Sequence, residues 1–249
     1  MIDYSDNQRS LQWFRARLGN ITGSRCGDLM KEGRRKGEPF SETARSYIMQ
    51  LAAERMMNPA VVDNDELFGQ YVDCVQVSSK AMRFGTEQEG VARDLFSDMA
   101  KVHVVEPSSC RHDTIPHFAA SPDGIILDWQ DRPLACVEIK CPKIDTFVKY
   151  LDIADGGTLK AINPLYYWQT QAEMCCTGTE WNYFVVFSPW LSNPLHVALI
   201  ERDEEDIKEL TGKILLANEM IEEIQHGQRR TSVSRVLDTL HSRATDKAV

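Results

Sequence analysis

Residues 120–142 read ASPDGIILDWQDRPLACVEIKCP, and this stretch decides the fold. Two apolar runs, Ile125–Leu127 and Ala135–Ile139, flank the turn-forming Trp129-Gln-Asp-Arg-Pro133. Short apolar runs bounded by Gly, Asp and Pro read as the paired strands of a hairpin. Near-continuous apolar sequence marks central strands, where charge should not stand without cause. Yet Asp123 sits at the turn entering the first strand, and Glu138 and Lys140 lie two apart on the second. Residues i and i+2 of a strand share one face, so a paired hairpin can bring Asp123 and Glu138 together at one end. Two carboxylates and water are the oxygen ligands that Mg2+ or Mn2+ prefers. A cation there polarises a phosphodiester and lowers the pKa of its water, and a second can stabilise the leaving 3′-oxygen. Lys140 suits positioning the attacking water, or serving as base if burial and the metal depress its pKa. A bare Asp…Glu-x-Lys also occurs by chance on exposed hairpins; the apolar setting favours a nuclease site.

Upstream, residues 9–30 predict a short helix through Trp13 and Phe14, a loop at 18–23 and a helix starting near Ser24. A helix start with a hydroxyl and a nearby Arg suits an anion, though the local sequence favours Ser24 as only a cap. Residues 31–39 form a basic loop by composition. Phe40 to Asn58 predicts a helix capped by Ser41, with Tyr47, Ile48, Leu51, Ala52 and Met56 on one face. Residues 59–78 read as irregular. The next helix starts at Ser78 or Ser79 and runs to about Met99, with Met82, Gly85, Glu89, Ala92 and Phe96 on one face. Glu89 on that face needs a partner, a salt bridge or a metal. Strands are expected at 102–106 and 117–121, then the hairpin. A helix over 143–151, a glycine-bearing loop at 152–159 and a helix over 164–176 follow. Two antiparallel strands at 181–188 and 195–200 precede a helix capped by Asp203 and ending near Gln225. This is one mixed α/β domain over 1–226, with a polar tail, 227–249, that is disordered or makes a subunit or partner contact.

The chain has 249 residues, 43% hydrophobic and 26% charged, as in ordinary globular proteins. No apolar run reaches the ~20 residues of a membrane span, and residues 1–13 lack the apolar core of a signal peptide. Seven irregularly spaced cysteines fit free thiols in a reducing cytoplasm. The net charge of −9 argues against an all-over basic surface but leaves local phosphate-binding clusters open.

SPDG followed by VEIKCP resembles the PD-(D/E)xK nuclease superfamily, and within it the phage lambda exonuclease-like (YqaJ viral recombinase) branch. RLGNITGS, GTEQEGVAR and YYWQTQAEM resemble further motifs of that branch and occur in its order, so the resemblance covers roughly residues 9–225. It implies a restriction-endonuclease-like core with a mixed central sheet flanked by helices. Asp123 and Glu138 would be metal ligands, helped by the Ile139 carbonyl, with Lys140 acting on the nucleophilic water. Gln169 would complete the site, with Gln171 as fallback. Glu89 would act through a water in place of a structural salt bridge. Arg17, Ser24 and Ser121 would hold a 5′-phosphate. Arg34 would reach toward the DNA groove, and Met82 would be a wedge splaying the end base pairs; their plainer readings are a solvated charge and a core position.

The activity so implied is a processive Mg2+-dependent 5′→3′ exonuclease on linear double-stranded DNA, with two metal ions per site and Mn2+ as a substitute. It would release mononucleotides, leave a 3′ overhang and work as a ring-shaped homotrimer beside a single-strand annealing protein. A phage or prophage origin and a bacterial cytoplasm are implied in the same way. The competing readings are another PD-(D/E)xK endonuclease or RecB-like nuclease, and a non-catalytic DNA-end-binding module. Cys26, Cys136, Cys141, Cys175 and Cys176 do not match an iron–sulfur version, and the intact acidic set argues against the inert module.

Overall fold

The structure is a computed structural model and describes residues 1–33, 37–76 and 79–230. In chain order the first half runs β1 (Ile2–Asp3), α1 (Leu11–Arg17), β2 (Ile21–Thr22), α2 (Gly23–Leu29), α3 (Glu42–Arg55), α4 (Pro59–Val62), α5 (Asp65–Val75) and α6 (Lys80–Ala100). There follow β3 (Val104–Val105), β4 (Ser109–Arg111), β5 (Phe118–Ala120), β6 (Gly124–Leu127) and β7 (Pro133–Lys140). The chain continues through α7 (Ile144–Tyr150), α8 (Gly156–Ile162), α9 (Pro164–Thr177), β8 (Trp181–Phe187), β9 (Leu195–Glu201) and α10 (Glu204–Arg230).

The expected hairpin is the centre of the larger sheet, whose order is β3-β6-β7-β8-β9. β6 and β7 pair antiparallel with Gly124 opposite Val137, and β7 and β8 run parallel with Glu138 opposite Phe184. The turn between β6 and β7 is tied by Asp128, whose carboxylate accepts the Gln130 and Arg132 amides at 2.7 and 2.9 Å. Alternation then sorts β7 into two faces. Ala135, Val137 and Ile139 pack with Ala92 and Phe96 of α6. Glu138 and Lys140 point the other way, where Glu138 meets Gln169 of α9. The mixed sheet with helices on both faces is the architecture the sequence predicts.

A smaller sheet, β1-β4-β5-β2, joins the N-terminal segment to the hairpin. Its β2–β5 pairing is parallel, with Thr22 opposite Ala119, so the start of α2 lies beside the chain leading into Ser121. α2 crosses α9 at close range: a Cβ on Gly27 would stand 2.8 Å from the Leu165 Cα. Gly19, with φ +69°, turns the chain after α1, and its carbonyl accepts from Arg55 Nε at 2.7 Å.

Several expectations need correction. Residues 59–75, most of the span read as irregular, hold α4 and α5, started by Asn58 and Asn64 side chains that accept from the Ala60 and Leu67 amides, while residues 77 and 78 lie outside the described residues. The glycine-bearing loop at 152–159 gives way to α8, which Asp155 and Thr158 open with a capping box. Met56 is exposed at the end of α3, not on its core face. Met82 is also exposed, which removes the core reading for it. α10 runs past Gln225 to Arg230, while Arg34 and residues 231–249 of the expected tail lie outside the described residues.

Candidate active site

Four of the expected residues converge at the end of the hairpin. Asp123 Oδ2 accepts the Ile139 amide at 2.7 Å, which bridges the two strands at the site. Glu138, 1% exposed, pairs through Oε1 with Lys140 Nζ. The same oxygen accepts from Gln169 Nε2 at 2.6 Å. Lys140 Nζ also lies 4.8 Å from the centre of the Tyr166 ring. Gln171 is turned elsewhere: it donates to the Glu201 carbonyl and accepts from the Asp203 amide, so it ties α9 to the end of β9. Gln169, not the fallback, faces the carboxylates.

Glu89 takes an intermediate place. Its Oε2 accepts from Arg9 Nη2 at 2.6 Å, so a salt bridge is present, and its charge also reaches Asp123. Burial, then the Glu138 charge, push the Asp123 pKa well above the ordinary carboxylate range. Burial, then the charge of Glu173, do the same to Glu138. For Lys140 burial alone would favour the neutral amine, but the Glu138 and Asp123 carboxylates outweigh it and hold the ammonium above its usual pKa. Beside these two carboxylates the Lys140 side chain is a charged donor.

The donor set fits a hard divalent cation. Glu138 Oε2 is buried and has no hydrogen-bond partner among the described residues. A buried carboxylate oxygen without a donor is costly, and a cation is a ligand it can take. Among the described residues no three His, Cys, Asp or Glu side chains form a metal-binding group by themselves. Mg2+ needs no such cage, since it commonly takes one or two carboxylates and keeps several waters.

A second constellation lies beside the first. Arg17 Nη1 and Nη2 donate to Ser121 Oγ at 3.2 Å and Ser24 Oγ at 3.4 Å. Its guanidinium stacks over Trp13, 4.2 Å from the ring centre, and Trp13 Nε1 donates to the same Ser121 Oγ at 3.3 Å. Burial lowers the Arg17 pKa to about 10, which leaves it a cation at neutral pH. Gln8 Nε2 braces the turn by donating to the Pro107 and Pro122 carbonyls, both at 2.9 Å. Ser121 and Asp123 are two residues apart, so one turn serves both constellations. Arg17 and Ser24 also line a cleft of about 440 Å³ with Tyr47, Tyr71 and Met82.

Sequence reasoning missed Glu173, Asn182, Trp13, Gln8 and Arg9. Two of these left signals. Glu173 is the only charged residue in the α9 sequence PLYYWQTQAEMCCT, four residues after Gln169 and so on its face. Asn182 interrupts the otherwise apolar β8 sequence WNYFVVF.

Comparison with known proteins agrees with this fold. An alkaline exonuclease, LHK-Exo, from Laribacter hongkongensis is similar in structure, with TM-score 0.69 and 28% identity over 89% of this chain and 97% of that one. The same exonuclease in complex with dAMP matches at the same TM-score of 0.69. A phage-related exonuclease from Haemophilus somnus 129PT shares the fold at TM-score 0.58 and 14% identity, over 84% of this chain and 96% of that one. No curated protein matches the chain in sequence. Residues 12–180 match the model of the YqaJ-like viral recombinase domain, a span that takes in both constellations from Trp13 to Glu173, and the chain belongs to that family.

Proposed function

We propose that this chain is a metal-dependent exonuclease that degrades one strand of linear double-stranded DNA from its 5′ end, processively, leaving a 3′ overhang. The single observation that carries the reading is the shared turn. Ser121 faces Arg17, and Asp123, two residues on, bridges to Ile139 beside Glu138. A 5′-phosphate held by Arg17, Ser24 and Ser121 therefore stands next to the carboxylates, and that arrangement gives the strand a direction. The family membership and the exonucleases of similar structure support the reaction class, and the dAMP held by one of them supports a deoxynucleotide substrate.

Asp123, Glu138 and the Ile139 carbonyl would hold Mg2+, two ions per site, or Mn2+ in its place. When bound, the metal supplies polarisation of the phosphodiester and of the attacking water. The Lys140 ammonium donates a hydrogen bond and neutralises charge where the phosphodiester and the nucleophile meet. Gln169 holds Glu138 Oε1, which leaves Oε2 for the cation. Glu89 contributes through a water and exchanges its Arg9 contact to do so. Arg17 offers a charged fork suited to phosphate oxygens. Met82, exposed at the cleft, is placed to act as a wedge, and Arg34 is assigned to the DNA groove. A ring-shaped homotrimer, a single-strand annealing partner and a phage or prophage origin belong to the same reading. Exposed Trp129 and Trp181 offer apolar area for subunit contacts. No described helix is long and apolar enough to cross a membrane.

The test uses linear duplex with 5′-phosphate or 5′-hydroxyl ends, beside closed circular DNA, in Mg2+. Mononucleotides are expected from the linear duplex only, and faster from phosphorylated ends. Cutting of the closed circle would point to an endonuclease, and end binding without release would point to the inert module. Arg17→Ala should bring the rates on the two kinds of end to within about two-fold of each other, since a guanidinium on phosphate is the main charge-assisted contact in the pocket. Persistence of the preference would place the phosphate elsewhere.

A further inference from the structure

Glu173 is buried between α9 and the sheet, 1% exposed, and the mechanism above gives it no part. Its Oε1 accepts from Gln169 Nε2 at 3.1 Å, and its Oε2 accepts from Asn182 Nδ2 at 2.7 Å. Gln169 Nε2 also donates to Glu138 Oε1 at 2.6 Å. An amide nitrogen carries two hydrogens, so both are committed, one to each carboxylate. The carbonyl end of the amide is thereby turned away from both, because an oxygen facing either would be repelled.

We propose that Glu173 is a positioning residue that acts on the reaction through Gln169. It fixes the amide so that Gln169 holds Glu138 Oε1, and the unpartnered Oε2 is presented to the cation. Three elements meet in this chain of bonds: β8 through Asn182, α9 through Glu173 and Gln169, and β7 through Glu138. With Glu138 alone, one hydrogen bond would leave the amide free to turn about it. The second bond, from a residue one helical turn away on the same face, removes that freedom. A carboxylate is a costly choice for a position whose only task is to fill space. The inference rests on the metal-nuclease reading of Glu138.

The experiment uses the full chain and a double-mutant cycle between Glu173 and Gln169. Three quantities are measured: Mn2+ binding by calorimetry without DNA, kcat and KM on 5′-phosphorylated linear duplex, and thermal melting. Glu173→Ala should weaken Mn2+ binding and lower kcat by about 10-fold or more, as loss of groups that orient metal ligands does, with KM little changed. In a Gln169→Ala background the same substitution should cost several-fold less than in the unchanged chain, because its positioning route to Glu138 is gone and only the direct effect of the Glu173 charge on Glu138 remains. Glu173→Gln should recover most of the loss. Its amide oxygen can still accept from Gln169, and once Asn182 turns over, its nitrogen can donate to Asn182 Oδ1, which is buried and has no partner among the described residues.

Losses that multiply in the double variant would overturn the proposal, because Glu173 would then act independently of Gln169. Glu173→Gln as impaired as Glu173→Ala would also overturn it, because charge and not position would be at work. If Glu173→Ala does not fold, Glu173→Met, of similar length and unable to accept, takes its place in the cycle. If the unchanged protein releases no nucleotides, the nuclease reading fails by itself and the Mn2+ titrations decide this inference.

Discussion

Lys140→Ala is expected to lower nucleotide release from linear duplex by about 10³-fold, the scale seen when one preorganised donor at a reacting centre is removed. Binding of DNA ends should stay within about two-fold. The asymmetry follows from where the charges sit. Lys140 Nζ touches Glu138 Oε1 and lies in the field of Asp123, so in the proposed mechanism it is assigned to the reacting atoms. The grip on the end is assigned to Arg17, Ser24 and Ser121, which Lys140 does not contact. Loss of the ammonium leaves two buried carboxylates uncompensated, but each can answer by keeping a proton or by taking the cation, so folding should survive. Rates by release of acid-soluble nucleotide and end affinity by fluorescence anisotropy separate the two effects. Full activity would refute the role given to Lys140, and an equal loss of binding would place it in the phosphate grip instead.

Metal-free protein should lose stability as pH rises from about 5 to about 8, opposite to the behaviour of a protein whose carboxylates are salt-bridged. Burial first, then the Asp123 charge, raises the Glu173 pKa from 4.5 to about 7 against the lowering contacts with Glu138 and Asn182, and Asp123 and Glu138 shift in the same direction. Between those limits the folded chain keeps a proton that the unfolded chain has released. The stability this gives is present on the acid side and is lost as pH rises through the folded pKa. A shift of that size corresponds to about 3 kcal/mol for Glu173. His112 and His117, whose pKa values burial lowers, oppose the trend, because the unfolded chain binds their protons more readily. Three buried carboxyls should outweigh two imidazoles, one half-buried and one exposed. At roughly 2–4 °C per kcal/mol for a chain of this size, Tm should fall by roughly 5 °C. Melting in EDTA from pH 5.5 to 8.5 measures it. Glu173→Gln should flatten the profile, and Mg2+ should restore Tm at pH 8 by standing in for the protons. A Tm that climbs steadily to pH 8 would show that these carboxyls are ionised in the folded chain.

The hairpin was legible because its signals are local. A turn-forming stretch at 129–133, two apolar runs and a period of two put Glu138 and Lys140 on one face before any partner strand is known. Helix starts at Ser41 and Ser79 were legible for the same reason, since a cap binds an amide three residues on. α5 and α8 were not, because polar and glycine-bearing sequence hides helices that an Asn or Asp cap begins. β1, β2 and β4 are two or three residues long and exist only through partners distant in the chain, Ile2 on Cys110 and Ile21 on Phe118.

The site divides along the same line. Asp123, Glu138 and Lys140 could be set from sequence because the pleat and one tight turn fix their geometry. The motif resemblance added Gln169, Arg17 and Ser121 as names without a geometry, and gave roles to Ser24 and Glu89, which a helix start and a helix face had already marked. Only the tertiary structure decided that Gln169 and not Gln171 faces Glu138, that Glu89 meets Arg9, and that Glu173 and Asn182 stand behind Gln169. Those choices depend on the rotation of α9 and α6 against the sheet. That rotation is set by packing, such as the approach of α2 to α9 at Gly27, and no local rule of spacing contains it.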